Sequence, residues 1–470
     1  MWRVIKNERK KVLDDVMKVT LINPPIRESK YPGIFPIGLA YIASALMKAG
    51  HSVNVIDVNA LKYPKNEMLK KIENLDCDVV GIGSMITAYN YVKWLISEIK
   101  RLKPEMKIIV GGGVCSAIPE KFMEWNPADI MVLGEGEITI VDLLNNLGNL
   151  KNVKGIWYRD KDGVHANPPR ELIKNLDSIP FPAWEIFPMD AYLKNPEKDY
   201  TKRKMNVLAG RGCPFQCTFC WHNFDYGDRL RSLDNIFEEI KQLQAKYNVE
   251  IILFADELFT IRKDFIMEFC KQVKERNVKI KWDCSSRVNT IDKEMMQSMK
   301  DAGCINIDFG IESGSQVMLN VMKKGATVEQ GKKAVQLIKE VGIRYHTNYI
   351  VGIPGETKET IWETVKFCKE LNIEHRVEFF YATPYPDTPL YEYAKSKGLI
   401  KDEEEFVSKV GEASHFLINL TDMPDEELVM LRNKAQKEAQ PYPLTKALFY
   451  YKHFGLLHLM RLSAKKMFGS

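Results

Sequence analysis

The sequence predicts an α/β protein with two successive domains: a doubly wound parallel sheet, then a partial barrel of six strand–helix units. Three observations lead to this fold class. Short apolar runs alternate with amphipathic stretches from residue 18 to about residue 145, and again at larger spacing from residue 205 to residue 380. Between them, prolines and glycines break up residues 151–198. Strand–helix alternation is typical of parallel sheets covered by helices, and proline density is typical of an irregular connector.

Length, composition and charge exclude several classes of protein. A chain of 470 residues with 45% hydrophobic and 27% charged residues is typical of a globular protein of two or three domains. The net charge of +5 is too small to indicate a nucleic-acid partner. No apolar run approaches the ~20 residues of a membrane span, and residues 1–17 lack the apolar core of a signal peptide. We therefore expect a cytoplasmic protein.

The first domain has five predicted strands, and the ends of several of them are rich in small residues. The strands are predicted at residues 19–22, 53–56, 79–82, 108–110 and 130–133, and the helices at residues 37–49, 65–74 and 89–102. The residues singled out after the third, fourth and fifth strands are Gly83, Ser84, Thr87, Gly111, Gly112, Gly134 and Glu135. Ligands of doubly wound sheets bind beyond these carboxyl ends. Each loop taken alone is equally typical of a tight turn.

The second domain repeats the alternation at larger spacing. Its strands are predicted at residues 205–209, 250–254, 279–282, 305–309, 345–350 and 377–380, and its helices at residues 232–246, 263–276, 292–302, 328–341 and 358–371. Functional residues of such barrels lie at the carboxyl ends of the strands. The polar residues there include Asp256, Glu257, Arg287 and Glu312.

Three cysteines follow the first strand of the second domain. Cys213, Cys217 and Cys220 have the spacing C-x3-C-x2-C. Thiolates select zinc or iron–sulfur clusters, and a [4Fe–4S] cluster usually takes four cysteines. Three leave one iron open to bind a small molecule. The alternatives are zinc with His222 as a fourth ligand, which lacks the usual second arm, and a disulfide, which a reducing compartment disfavours.

The cysteine spacing and its position after a first strand resemble the radical SAM superfamily. The glycine loops of the first domain resemble the Rossmann- or flavodoxin-like cobalamin-binding domain that precedes many radical SAM domains. Over roughly residues 18–420 the chain is thus similar to cobalamin-dependent radical SAM enzymes. The resemblance divides the chain into an N-terminal extension (1–17), a cobalamin-binding domain (18–150), a linker (151–198), a radical SAM domain (199–420) and a basic helical C-terminal region (421–470).

The resemblance also implies which residues hold the cofactors. The three cysteines would ligate the cluster, whose open iron chelates S-adenosylmethionine (SAM). Arg287 and Glu312 would contact the SAM carboxylate or ribose, Asp256 or Glu257 its amino group, and Phe219 would lie along the adenine. A guanidinium fits a carboxylate through two hydrogen bonds. The alternative for each charged residue is a structural ion pair with a neighbouring helix.

The resemblance implies cobalamin in the first domain, with its nucleotide tail passing the loops at residues 83–87, 111–113 and 134–137. Residues 23–36, after the first strand, contain no histidine to bind cobalt from below. His51 is expected at the opposite edge of the sheet. Radical SAM enzymes with N-terminal cobalamin domains share this lack of a cobalt-binding histidine.

The implied reaction is methylation of an unactivated substrate carbon. An external electron donor of the flavodoxin or ferredoxin type reduces the cluster, SAM is split to a 5′-deoxyadenosyl radical, and the substrate radical takes a methyl group from methylcobalamin. Radical chemistry belongs to the cofactors, so no dedicated catalytic residue is predicted. The alternatives are an anaerobic cyclase of the Mg-protoporphyrin ester type, a radical SAM enzyme without cobalamin, and a cobalamin-binding regulator without turnover.

The C-terminal tail adds a prediction about the substrate. Residues 441–470 contain five basic residues and no acidic one. Within residues 443–467, apolar side chains recur between the basic ones, which is typical of a helix bound to a membrane surface. We therefore expect peripheral contact with the inner membrane face and a lipid-like substrate. The alternative is that the apolar face packs on the barrel.

Overall fold

The structure, a computed structural model, describes residues 16–26, 32, 34–193, 203–222, 224, 226–375, 377–441 and 445. Within them the chain forms a seven-stranded, mostly parallel sheet and a six-stranded parallel sheet, both packed against helices, and a small two-stranded sheet. The N-terminal extension to residue 15 and nearly all of the basic tail at residues 443–467 lie outside the described residues. No helix of the described part is long and apolar enough to cross a membrane.

The first domain is built on a seven-stranded sheet. Its strands are β1 (Lys18–Asn23), β2 (Ser52–Asp57), β3 (Val79–Gly83), β4 (Lys107–Gly111), β5 (Ile130–Val132), β6 (Ile156–Asp160) and β7 (Gly163–Ala166). Their order is β2-β1-β3-β4-β5-β6-β7, and the first five are parallel. The helices are α1 (Ile37–Lys48), α2 (Val58–Leu61), α3 (Lys65–Glu73), α4 (Tyr89–Leu102), α5 (Gly113–Ser116), α6 (Pro119–Trp125) and α7 (Gly136–Asn145). The doubly wound sheet predicted from the sequence is confirmed.

The expectation of an irregular connector is wrong for its first part. Strands β6 and β7 form an antiparallel hairpin that extends the sheet beyond β5. They have only five and four residues, and apolar and polar residues are mixed on both faces of the hairpin, so their pattern is too short to stand out from the flanking prolines and glycines. Farther along, short 3₁₀ turns and the helix α8 (Met189–Leu193) form the connector.

The second domain is an open barrel of six parallel strands. After β8 (Lys204–Val207) and a small hairpin of β9 (Gly210–Arg211) and β10 (Arg229–Leu230) come β11 (Ile251–Phe254), β12 (Lys281–Ser286), β13 (Cys304–Glu312), β14 (Arg344–Val351) and β15 (Val377–Tyr381). The order of the barrel strands is β15-β14-β13-β12-β11-β8. The helices are α9 (Leu233–Tyr247), α10 (Lys263–Glu275), α11 (Lys293–Asp301), α12 (Gln316–Val321), α13 (Val328–Val341), α14 (Lys358–Glu370), α15 (Pro389–Ser396), α16 (Glu403–Lys409) and α17 (Asp425–Glu438). This confirms the predicted partial barrel of six units.

Two barrel strands extend farther than their apolar runs indicate. Strand β12 continues to Ser286 and β13 to Glu312, four and three residues beyond the predicted ends at residues 282 and 309. Both extensions contain polar residues, which hide the strand from a hydrophobicity pattern. As a result Arg287 directly follows β12, and Glu312 is the last residue of β13.

Candidate functional site

The three cysteines lie on a loop after β9, which we call the cluster loop (residues 212–222). Backbone hydrogen bonds pin its centre. The N–H of Thr218 donates to the carbonyl of Met322 (2.9 Å), and the N–H of Leu390 donates to the carbonyl of Thr218 (3.1 Å). Cys217 is only 5% exposed, and Cys213 and Cys220 are half-buried. The loop therefore presents its cysteines from a fixed position.

Positive charge lies directly beside Cys217. Nη1 of Arg287 donates to its Sγ over 3.3 Å, and the guanidinium lies 3.6 Å from the ring centre of Phe215. The hydrogen bond from Cys220, together with the charges of Lys324 and Arg287, lowers the pKa of the Cys217 thiol to about 6. The same bond raises the pKa of the Cys220 thiol, and burial raises that of Cys213. The cations beside Cys217 thus favour a thiolate at this cysteine.

Glu312 forms a buried ion pair that the sequence does not show. Nζ of Lys324 donates to Oε1 of Glu312 over 2.7 Å, and both residues are less than a tenth exposed. A Cβ at Gly310 would come within 2.4 Å of that oxygen, so glycine leaves the room for the pair. Glu312 has a left-handed backbone, with φ of 68°, a strained conformation that is common at functional sites. Lys324 also lies 5.9 Å from the ring centre of Phe219 in the cluster loop.

The two acidic residues after β11 have different surroundings. The carboxylate of Asp256 accepts the backbone N–H groups of Ala209 (3.1 Å) and Gly210 (2.5 Å), and burial raises its pKa to about 7. Asp256 therefore holds the backbone that leads into the cluster loop. The negative charge of Glu257 contributes to the raised pKa of the Cys213 thiol.

In the first domain the loops after β3 and β4 are locked together. The N–H of Ser84 donates to the carbonyl of Gly111 (3.3 Å), and the N–H of Val114 donates to the carbonyl of Ser84 (3.0 Å). Gly112 has φ of 84°, and a Cβ there would lie 2.7 Å from the Ser84 carbonyl oxygen. Only glycine therefore allows this close approach.

The glycine loop of the first domain meets the cluster loop. The ring of Trp221, which follows Cys220, lies 3.1 Å from where a Cβ of Gly113 would stand. Trp221 was not singled out in the sequence, although its place directly after the third cysteine could have drawn attention to it. The contact brings the cluster loop and the small-residue loops to one shared face.

Glu135 makes contacts that differ from the predicted cobalamin contact. It accepts hydrogen bonds from Arg211 (2.7 Å), from Arg229 (2.9 Å) and from the backbone N–H of Ile173 (2.6 Å). The neighbouring Glu137 also pairs with Arg211. The side chain of Glu135 thus joins the first domain to the strand that leads into the cluster loop.

Comparisons with known proteins agree with this architecture. The model of the radical SAM superfamily matches residues 207–368, and that of the B12-binding domain matches residues 28–144. An uncharacterized methyltransferase of Pyrococcus horikoshii is 36% identical over 82% of this chain and 84% of its own. The chain belongs to the radical SAM superfamily, in the group that carries a B12-binding domain. The anaerobic magnesium-protoporphyrin IX monomethyl ester cyclase of Rubrivivax gelatinosus is 31% identical over 79% of this chain and 68% of its own.

Solved structures show the same fold. The radical SAM methyltransferase TsrM of Kitasatospora setae superimposes with a TM-score of 0.67 at 20% identity, covering 82% of this chain and 75% of that one. The cobalamin-dependent SAM radical enzyme OxsB superimposes with a TM-score of 0.66 at 22% identity, covering 90% of this chain and 62% of that one. As a member of this group, the chain is an enzyme whose cofactors are SAM, a [4Fe–4S] cluster and cobalamin.

The cluster loop fits the radical SAM cluster by its donor chemistry. Within the described residues no three cysteine, histidine or carboxylate side chains converge on one point as metal ligands do. The loop nevertheless carries three thiols, the soft donors that iron–sulfur clusters require. Buried Arg287, which donates to Cys217, offsets part of the negative charge that three thiolates bring. The ring of His222, the zinc ligand considered above, lies against that of Tyr226.

The B12-binding domain fits its cofactor at the interlocked loops. The hydroxyl oxygens of Ser84 and Thr87 are buried and have no hydrogen-bond partner in the described part of the chain. Buried hydroxyls of proteins nearly always have a partner, so both are suited to a bound polar group. Gly134 has φ of 67° and open space where a side chain would stand. His51 lies at the start of β2, where its Nδ1 accepts the N–H of Met17, at the opposite edge of the sheet from these loops.

Proposed function

We propose that the protein is a cobalamin-dependent radical SAM methyltransferase that methylates an unactivated carbon of a small-molecule substrate. The observation that carries the proposal is the contact of Trp221 with Gly113. Because it brings the two cofactor loops together, one substrate can reach both cofactors. Methyl transfer is also the named activity of the Pyrococcus relative and of a cytidylyl-2-hydroxyethylphosphonate methyltransferase of Streptomyces wedmorensis, which is 27% identical over 82% of this chain and 83% of its own.

In the second domain the proposal rests on the three cysteines, Arg287 and Glu257. Cys213, Cys217 and Cys220 hold the cluster, and Arg287 compensates its charge through the contact with Cys217. Glu257, whose negative charge acts on Cys213, is better placed than the backbone-bound Asp256 to accept the amino group of SAM. When bound, the cluster and SAM supply a one-electron cleavage, and cobalamin supplies a transferable methyl group.

The first-domain residues in the proposal are those of the interlocked loops. The buried hydroxyls of Ser84 and Thr87 bind the cobalamin tail. Gly111 and Gly112 have no side chains, so the tail can pass close to the backbone of their loop. Gly134 leaves the third loop open. Glu135 is a positioning residue, because it holds Arg211 and Arg229 next to the cluster loop.

An anaerobic cyclase is the second candidate, favoured by the 31% identity to the Rubrivivax enzyme. The two candidates differ in the fate of the SAM methyl group. A methyltransferase moves it to cobalamin and then to carbon, whereas a ring closure with oxygen insertion leaves it on methionine.

The test is anaerobic reconstitution with iron, sulfide and cobalamin, followed by addition of a reductant and SAM that carries a deuterated methyl group. We expect 5′-deoxyadenosine and deuterium-labelled methylcobalamin. Replacing Cys213, Cys217 or Cys220 with alanine should abolish 5′-deoxyadenosine, while the control Cys270→Ala should not, since Cys270 lies on the buried face of α10. Formation of 5′-deoxyadenosine by the Cys217→Ala protein would refute the assignment of the cluster, and unlabelled cobalamin would favour the cyclase.

Contact with an external electron donor and with a membrane surface also belongs to the proposal. The membrane part is supported by the sequence of residues 443–467, with its basic residues and no acidic one. A lipid-like substrate would follow from it.

A further inference from the structure

The concave face of the barrel sheet carries several charged and polar side chains. Closed (βα)8 barrels fill this space with branched apolar side chains. Here Nζ of Lys204 on β8 donates to Oδ2 of Asp283 on β12 over 2.6 Å, although β11 lies between those strands. Such a bond can only cross β11 on the concave side. The residues that alternate with the polar ones, such as Ile307 and Phe309, are fully buried in the core on the other side.

Asp308 and His346 form a hydrogen-bonded pair in the middle of this face. Nδ1 of His346 lies 2.9 Å from Oδ1 of Asp308, and Nδ2 of Asn306 donates to the same oxygen over 2.7 Å. Throughout the described chain, no donor reaches the other oxygen, Oδ2. The side chains of Asp308 and His346 are 40% and 35% exposed. One carboxylate oxygen is therefore open to the interior of the barrel.

The carboxyl group of Asp308 is ionised at neutral pH. Burial by itself raises its pKa, but the hydrogen bond and charge of His346 and the hydrogen bond of Asn306 outweigh burial and hold the pKa below the ordinary value. An ionised carboxylate accepts hydrogen bonds and donates none. A group that binds to Oδ2 must consequently be a donor.

The space above this pair is polar as well. The strand register places Ser285 and His346 on either side of Asp308, and Asn348 beside Glu378 two positions farther along the strands. Each of these side chains is half-buried or exposed. Glu312, near the cluster loop, lies four residues beyond Asp308 on β13, which is about 13 Å at the usual rise per residue. Polar side chains thus line this face beside Asp308 and two positions farther toward the cofactor end of the barrel.

We propose that Asp308 and His346 are the floor of the substrate pocket and bind a hydroxyl or ammonium group of the substrate. This inference rests on the proposed function, because it assumes that the substrate enters the barrel below the cluster loop. An acyl chain does not fit here, since it would remove water from an ionised carboxylate without replacing its hydrogen bonds. If the substrate carries a lipid, the part inside the barrel is its polar part.

The test uses full-length protein labelled with ¹³C-histidine, kept anaerobic without SAM or reductant, so that it does not depend on turnover. The resonance of His346 is assigned from its loss in His346→Gln. Ethanolammonium chloride, which carries both donor groups, is the probe, and sodium propionate is the matched acceptor. We expect ethanolammonium to shift the His346 resonance in a saturable way, and propionate to leave it unchanged.

Asp308→Asn should raise the half-saturating ethanolammonium concentration at least tenfold, because an amide loses the negative charge. The control is Asp264→Asn, a surface residue paired with Arg262, which should leave the titration unchanged. A propionate shift at equal or lower concentration, or no shift with ethanolammonium, would overturn the assignment. If the reconstituted enzyme makes no 5′-deoxyadenosine yet this titration succeeds, the donor site stands and the proposed function fails.

Discussion

Nη1 of Arg211 donates to Oε1 of Glu135 over 2.7 Å, and the two side chains are 5% and 2% exposed. Arg211 stands two residues before the first cluster cysteine, and Glu135 belongs to the glycine-rich end of the first domain. With Arg229 and Glu137 they form a balanced set of two cations and two anions. A buried charge is tolerated only when it is paired. This set therefore fixes how the cluster loop sits on the B12-binding domain.

Replacing Glu135 with glutamine should destabilise the junction of the two domains. Arg229 would then lose its carboxylate partner and Arg211 would keep only Glu137, and breaking a buried pair of this kind costs about 3–5 kcal/mol. Urea unfolding and the amount of cobalamin retained through gel filtration both measure the effect, and both should fall. The control is Glu124→Gln, whose pair with Lys121 is exposed and should change stability by less than about 1 kcal/mol. Equal losses in the two variants would show that the buried pair has no special role.

Replacing Gly112 with alanine should release cobalamin. The added methyl group would lie 2.7 Å from the carbonyl oxygen of Ser84 on a backbone with φ of 84°, so the two interlocked loops must separate. Gly148→Ala is the control, because nothing lies within 4 Å of its added carbon. Cobalamin content is read from the absorbance spectrum and iron content from a colorimetric assay. Iron should stay unchanged in both variants, and unchanged cobalamin in Gly112→Ala would move the binding site elsewhere.

Most strands and helices of both domains follow from periodicity alone, since an apolar run bounded by turns is a local signal. The exceptions have a common physical cause. Strand β12 continues through Asp283 and Ser285 because its inner face borders a polar space. These polar residues interrupt the apolar run from which a strand is predicted. The hairpin of β6 and β7 is too short for a pattern to develop. In both places the strand forms because of its neighbours in the folded sheet, and the local sequence alone does not predict it.

The parts of the candidate site that escaped prediction are partners distant in sequence. The cysteines are recognisable from their spacing, but no local pattern pairs Glu135 with Arg211, which is 76 residues away. Lys324 follows the short helix α12, and only its ion pair with Glu312 in the folded structure places it at the site. Likewise, the sequence could not choose between Asp256 and Glu257, because only the fold places the backbone of Ala209 against the first.

The basic residues of the C-terminal tail predict that the protein binds anionic membranes through residues 443–467. Each basic residue close to an anionic leaflet contributes about 1 kcal/mol, and residues 441–470 contain five basic residues and no acidic one. Full-length protein should float with anionic liposomes at low salt, whereas protein that ends at residue 440 should not. Neutral liposomes are the control. If both proteins stay at the bottom of the gradient, the inference of a lipid-like substrate has no support left.

The last prediction concerns a buried carboxyl group in the loop that follows β14. Glu356 follows β14 and is 3% exposed, and its carboxylate accepts the N–H of Gly352. Burial raises its pKa from 4.5 to about 8, although the backbone N–H groups of Gly352 and Ile353 lower it in part. Between these two pH values the folded protein keeps a proton that the unfolded chain has released. The free energy of unfolding must therefore fall as the pH rises through this window, and level off above it.

Replacing Glu356 with glutamine removes this titration while it keeps the size of the side chain. The slope that Glu356 contributes is at most about 1.4 kcal/mol per pH unit, so the variant should gain stability relative to the original protein as the pH rises from 5 to about 8. Urea unfolding at several pH values measures the difference between the two curves. The control is Glu363→Gln, at an exposed position on α14. Its free energy of unfolding should change with pH in the same way as that of the original protein. A constant difference between Glu356→Gln and the original protein across the window would mean that Glu356 is already ionised in the folded state.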